Sequence, residues 1–182
     1  LDLGVGLGHP GQVALDADRL WLCGAHCWAK RNGDAATDKQ LLSDPKQQRR
    51  REARSLLGFL ELDGERKVKR GLCLPAGDRE GGLLAAIART EDDCLRASLM
   101  LFSKRGGLDV EGLAARGDTL LVGLRGPICG GHAIVLRASL DVGGGALAEL
   151  LTSADEPAKL SVTVTPGCSA SNRSANSVNA AV

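Results

Sequence analysis

Aromatic side chains are almost missing from this 182-residue chain, which has two Trp, two Phe and no Tyr. Platforms that stack nucleic-acid bases need aromatic faces, so that class of partner is excluded. The formal net charge is only +1, and no overall field draws the chain to a polyanion. No nucleic-acid partner is expected. No apolar run approaches about 18 residues, which excludes a membrane-spanning helix. There is no initiator Met and no signal-peptide pattern. The chain opens on Leu1-Asp2-Leu3, inside what reads as a motif, so a fragment trimmed at its start is expected. Neither a Gly-x-Ser-x-Gly elbow nor a Gly-Lys-Ser/Thr phosphate loop is present. Gly4, Gly6 and Gly8 alternate with apolar residues, but no helix follows them, so a dinucleotide fingerprint is not supported.

Glycine, at 24 residues, is plentiful and suits a fold of many tight turns. The six cysteines, Cys23, Cys27, Cys73, Cys94, Cys129 and Cys168, are irregularly spaced. In a chain of this length they read as buried free thiols rather than a disulfide framework. That reading favours a cytoplasmic compartment. Cys23, His26 and Cys27 form a C-x-x-H-C group. It is either half of a zinc site, which would need four such ligands, or a set of strand-end residues.

Local patterning supplies the elements. Val13 to Gly24 reads as a hairpin around Asp16-Ala17-Asp18. Lys30 to Asp44 reads as an exposed loop. Ser43-Asp44-Pro45 is a helix start, and the helix runs to about Leu57, stopped by Gly58. Lys46, Arg50 and Arg54 share one solvated face of it. Phe59 to Leu74 is a second hairpin, with Asp63-Gly64 as a two-residue turn. Gly82 to Thr90 is a short buried helix by propensity, and Cys94 to Phe102 fits helix or strand. Val110 to Ala115 and Thr119 to Leu124 make a hairpin around Arg116-Gly117-Asp118. Ala133 to Leu140 is a strand, Ala146 to Leu151 is helix-compatible, and Leu160 to Thr165 is one more exposed strand. From Pro166 the Ser-, Asn- and Ala-rich composition predicts disorder.

Two stretches repeat. Leu1-Asp2-Leu3-Gly4-Val5 is similar to Leu108-Asp109-Val110-Glu111-Gly112-Leu113, and Asp18 to Gly24 is similar to Asp118 to Gly123. The second pair lies 118 − 18 = 100 residues apart, roughly two units of four short strands, the size of propeller blades. Phe102 to Ala114, followed by Gly123-Leu124-Arg125-Gly126-Pro127 and Gly131 to Leu136, resembles the two signatures of an uncharacterised bacterial family, the domain of unknown function 3616 family (DUF3616). The opening through His26 and the segment Arg51 to Arg54 resemble it too, so that the likeness covers about residues 1–140. The resemblance implies an all-β, propeller-like domain and supplies no catalytic residues, because the family's activity is not established. The acidic-Glu-Gly element also looks distantly like that of phytase-like esterase propellers, an analogy of fold alone.

The fold expected is therefore all-β. Partial propeller-like blades of antiparallel strands would carry a helical insertion at about 44–57, with the domain at 1–156 and a degenerate or disordered tail at 157–182. Past about Glu156 the sequence looks foreign, as a frame change would produce. Asp109 and Glu111 share a strand face by alternation, and two adjacent carboxylates need a cation, an arginine or a shared proton. Arg125 is the expected partner. Three readings follow for Asp109, Glu111 and Arg125: a structural ion network, a site for a polar ligand or a divalent cation such as calcium, or acid–base catalysis. The function expected is a binding or scaffold module with a polar site built on these residues. The alternative is a metal-dependent phosphoester or ester hydrolase that uses a cation held by the carboxylates. His26 and His132 are weaker candidates, each expected at a surface or turn. Ser103 and Lys104 are adjacent on one strand and would point to opposite faces, which argues against a nucleophile–base pair.

Overall fold

Two runs of short alternating segments fold into two sheets of the same design. A computed structural model of the chain describes residues 11–28, 37–141 and 159–166. In chain order the elements are β1 (Gln12–Asp16), β2 (Arg19–Cys23), α1 (Asp38–Ser43), α2 (Pro45–Arg54), β3 (Leu57–Leu62), β4 (Val68–Cys73), α3 (Leu83–Ala88), α4 (Asp93–Ser98), β5 (Asp109–Arg116), β6 (Thr119–Cys129), β7 (His132–Asp141) and β8 (Lys159–Pro166). The first sheet has the order β1-β2-β3-β4 and the second β5-β6-β7-β8. Every pairing is antiparallel. The protein is mostly β with few helices, as expected.

The sheets share one core. Trp21, Cys23, Leu57 and Phe59 line the first sheet's inner face, and Leu120, Val122, Leu136 and Ala138 line the second's. Leu84 and Ile87 of α3 and Leu95 of α4 join the same core. The first strands, β1 and β5, lie against each other. The two hairpin turns latch across the seam: the Gly117 N–H donates to Asp16 Oδ2 at 2.5 Å, and Arg19 pairs with Asp118. These residues stand at the mouth of a cleft of about 390 Å³ between the sheets, whose wall includes Glu61 and Arg70.

The helical insertion lies between β2 and β3, where it was expected, but differs in detail. The stretch read as an exposed loop ends in α1, started by a capping box in which Thr37 and Gln40 bond each other's backbone N–H. That reading missed it because the apolar content is only Leu41 and Leu42. Helix α2 starts at Pro45, with Asp44 accepting from the Lys46 N–H. It ends at Arg54 rather than Leu57, because the Ser55 hydroxyl turns back to the Arg51 carbonyl at 2.8 Å and Leu57 enters β3. Gly58 therefore stops no helix. The turn after β3 is also longer than two residues. The Asp63 carboxylate accepts from the Glu65 and Lys67 N–H groups, and Arg66 takes a positive φ of 60°.

Three other expectations change. Cys94 and Cys129 form a disulfide that ties α4 to the end of β6, so the free-thiol reading fails for that pair and no longer supports a cytoplasmic compartment. Cys23, Cys27 and Cys73 are free. Residues 93–98 are helix, which settles the ambiguous stretch. β8 pairs along its whole length with β7, so the second sheet extends past the expected boundary at 156. The expectations for 1–10, 146–151 and 167–182 lie outside the described residues, and no helix among the described ones is long and apolar enough to cross a membrane.

Gly58 shows how tightly the first sheet is built. A Cβ there would meet the Leu72 carbonyl oxygen at 2.2 Å, whereas a Cβ at Gly64 would meet nothing within 4 Å. Gly58→Ala is expected to destabilise the fold by about 1–3 kcal/mol, as other overpacking changes do. Gly64→Ala should stay within about 0.5 kcal/mol. Urea unfolding of the two variants checks this, and equal stabilities would contradict the β3–β4 register.

Candidate functional site

Asp109 begins β5, opposite Gly126 of β6. Glu111 follows it where the ladder slips, with register shifts on both sides of Val110. A bulge leaves a residue unpaired and re-aims its side chain. Strict alternation would have put both carboxylates on the inward face. Asp109 is buried at 4% exposure, but Glu111 is exposed. The two carboxylates thus lie in different surroundings, Asp109 inside and Glu111 at the surface. Arg125 spans the difference. Its Nη2 pairs with Asp109 Oδ2, and its Nη1 reaches Glu111 Oε1 at 2.7 Å.

The surroundings add two groups. Val110 N–H donates to the Ala25 carbonyl at 3.0 Å, which ties β5 to the chain just past β2. The Cys27 thiol lies there, 3.9 Å from Arg54 Nη1. Burial pushes the Asp109 carboxyl above its ordinary range; Arg125 pulls it down, Glu111 pushes it further up, and Arg54 pulls it down. Burial likewise raises the Cys27 thiol, with Asp109 adding to the effect. A thiol held protonated is a poor nucleophile.

A resident calcium does not fit this group. Calcium takes six to eight oxygen ligands, and here a guanidinium already stands between the two carboxylates and repels a second cation. Among the described residues, the group of side chains close enough to hold a metal is Asp92, Cys94 and Cys129, and its two sulfurs are bonded to each other. The Cys23-His26-Cys27 group does not converge on a zinc either. Cys23 Sγ and His26 Nδ1 are 3.8 Å apart, but Cys27 turns to Arg54.

The other predicted residues fall apart from the carboxylates. His132 is exposed where β7 leaves the tight turn at Gly130 and Gly131. Ser103 and Lys104 sit in a 3-10 turn rather than a strand. His26, expected at the surface, is 1% exposed, with a positive φ of 54° and Nδ1 2.8 Å from the Gly24 carbonyl. Burial drives its pKa down to about 4; the Gly24 contact raises it, and the Arg51 charge lowers it.

Sequence reading also missed Arg51. The basic face of α2 was drawn through Lys46, Arg50 and Arg54, yet Arg51 is the buried one, together with Gln47 one turn earlier. Its guanidinium lies 4.6 Å over the Trp28 ring. The i, i+4 pairing of Gln47 with Arg51 was the available signal, and polar residues at both positions hid it.

Because the folded-state pKa of His26 is depressed, its stabilising contribution is present above its ordinary pKa of 6.5 and is lost as pH falls through about 4. Linkage puts the loss on the order of 3 kcal/mol. In His26→Asn, whose side chain tolerates the left-handed backbone, that segment of the pH profile should flatten. Denaturant melts at intervals from pH 7 to pH 4 check this, and parallel curves for the two proteins would contradict it.

No curated protein and no solved structure matches the chain. A family model described as "Protein of unknown function (DUF3616)" matches residues 12–160. That span holds both hairpins of the repeat, the helical insertion and the Asp109–Arg125–Glu111 cluster, so the chain belongs to the DUF3616 family.

Proposed function

We propose that the protein is a binding or scaffold domain of propeller-like build, with Asp109, Glu111 and Arg125 as its polar site. Two four-stranded antiparallel meanders of the same strand order support the propeller-like reading, as does the packing of their first strands side by side. The pairing of β8 with β7 supports a domain that extends through β8.

The observation that carries the functional reading is Arg125. Its guanidinium pairs with both carboxylates, and its side chain stays 54% exposed. A hydrolase of the phytase-like kind would need those carboxylates free for a cation. A binding domain needs what is present: one carboxylate fixed by burial, one half-exposed, and a planar donor between them that is free to meet a polar ligand on its open side.

Thermal melts with and without millimolar calcium, paired with an assay on a generic phosphoester, separate the two readings. The binding reading predicts no calcium-dependent stabilisation and no turnover. A calcium-dependent rise in Tm, lost in Asp109→Asn plus Glu111→Gln and accompanied by turnover, would replace it with the hydrolase.

A further inference from the structure

The core accounts for one face of the first sheet. Ala14, Trp21, Phe59 and Leu72 stand in one cross-strand row and face inward. Alternation sends Val13, Leu15, Leu20, Leu22 and Leu60 to the other side. A solvated antiparallel sheet carries polar residues there, but this one carries none at those five positions. Val13 and Leu15 are 53% and 51% exposed, and Leu20, Leu22 and Leu60 are partly buried.

The hundred-residue offset says what such a face is for. Adding 100 carries Val13, Leu15, Leu20 and Leu22 onto Leu113, Ala115, Leu120 and Val122. Those four pack into the core that the Trp21 face of the first sheet completes. The same offset carries Asp18 onto Asp118, which pairs with Arg19 across the seam. Asp18 itself is exposed and has no ion-pair partner among the described residues. The first sheet therefore presents outward the receiving half of an interface whose complete form lies between the two sheets.

The giving half is not repeated. The offset replaces Arg19 and Trp21 by Thr119 and Leu121, and Arg137 stands opposite Leu121 where Phe59 stands opposite Trp21. A second copy of this chain thus has no free face of the matching kind, since its own Trp21 face is inside its core.

We propose that the outer face of the first sheet is a docking surface for a further four-stranded antiparallel sheet, one that presents aromatic side chains and an arginine placed to reach Asp18. The inference rests on register and offset and does not depend on the Asp109 site, so the two stand or fall separately.

Cys73 is a built-in reporter. It is a free, exposed thiol in the same cross-strand row as Val13, Leu22 and Gly58. The experiment places an added copy of residues 11–74 ahead of the full chain, with Cys73→Ser in the added copy and Cys168→Ser throughout. The added copy supplies the Trp21, Phe59 and Arg19 face. Cys73 of the full chain should then react with a thiol reagent about tenfold more slowly or less, as a covered thiol does, and Asp18→Asn in the full chain should restore part of the rate. Equal rates with and without the added copy would overturn the proposal. So would protection of Cys73 in the unextended chain that grows with concentration alongside a dimer by light scattering, since the face would then belong to a second copy. Val13→Asp, at a position 53% exposed, in the unextended chain is the control that needs no added piece. An open face predicts a Tm change within about 2 °C, as for other exposed positions. A loss of about 8 °C or more would mean that the chain already covers this face, and the proposal would fail.

Discussion

The structure depends on one dry seam, where the Trp21 and Phe59 face of the first sheet and the Leu120 and Val122 face of the second bury a common core. Burying a large apolar side chain fully is worth about 1.5–3 kcal/mol, and a domain of this size has only about 5–15 kcal/mol of net stability. The chain places its few aromatics accordingly. Trp21 packs tilted against Phe59 at 4.8 Å between ring centres, and Trp28 meets Phe102 at 6.5 Å in the second, smaller cluster. None of the four is left at the surface to bind a base or a headgroup. All four rings go into the two apolar clusters.

The seam has two polar ends of different character. At the turns, Asp16, Arg19, Gly117 and Asp118 latch the hairpins together, and Arg19 also lies 4.9 Å over the Phe59 ring, covering the core's edge. At the opposite end, where β2 and β6 finish and β5 begins, Leu41 of α1 packs with Trp28 and Phe102 in the smaller cluster, and Asp109 is buried beneath Arg125. The helical insertion thus does more than decorate the sheet. It brings Arg54 and Cys27 to the same place as Asp109, and it holds His26 in a dry, left-handed bend that disfavours its charged form.

The hairpins were legible because apolar alternation and turn residues agree there, as in Leu20-Trp21-Leu22-Cys23 after Asp16-Ala17-Asp18. The helix start at Asp44-Pro45 was legible for the same reason: the residue types fix the local geometry. The partners of Asp109 and Glu111 were legible because two carboxylates so close demand a cation. What stayed hidden was set by tertiary placement. Nothing local marks Cys94 and Cys129 as neighbours, since 35 residues separate them. The slip at Val110 breaks alternation without a glycine or proline at Glu111 itself. The repeat was visible at Asp18 and Asp118, and the two hairpins keep the same offset of 100, with Asp16 opposite Arg19 in one and Arg116 opposite Thr119 in the other.

The central claim is that two like sheets form one cooperative body through a single face-to-face core. Native-state amide hydrogen exchange tests it most directly. The account predicts that the slowest amides of β2 and β3 and those of β6 and β7 share one opening free energy, equal to that of global unfolding. Two distinct energies, one for each sheet, would mean that the sheets open independently and that the seam does not hold the molecule together.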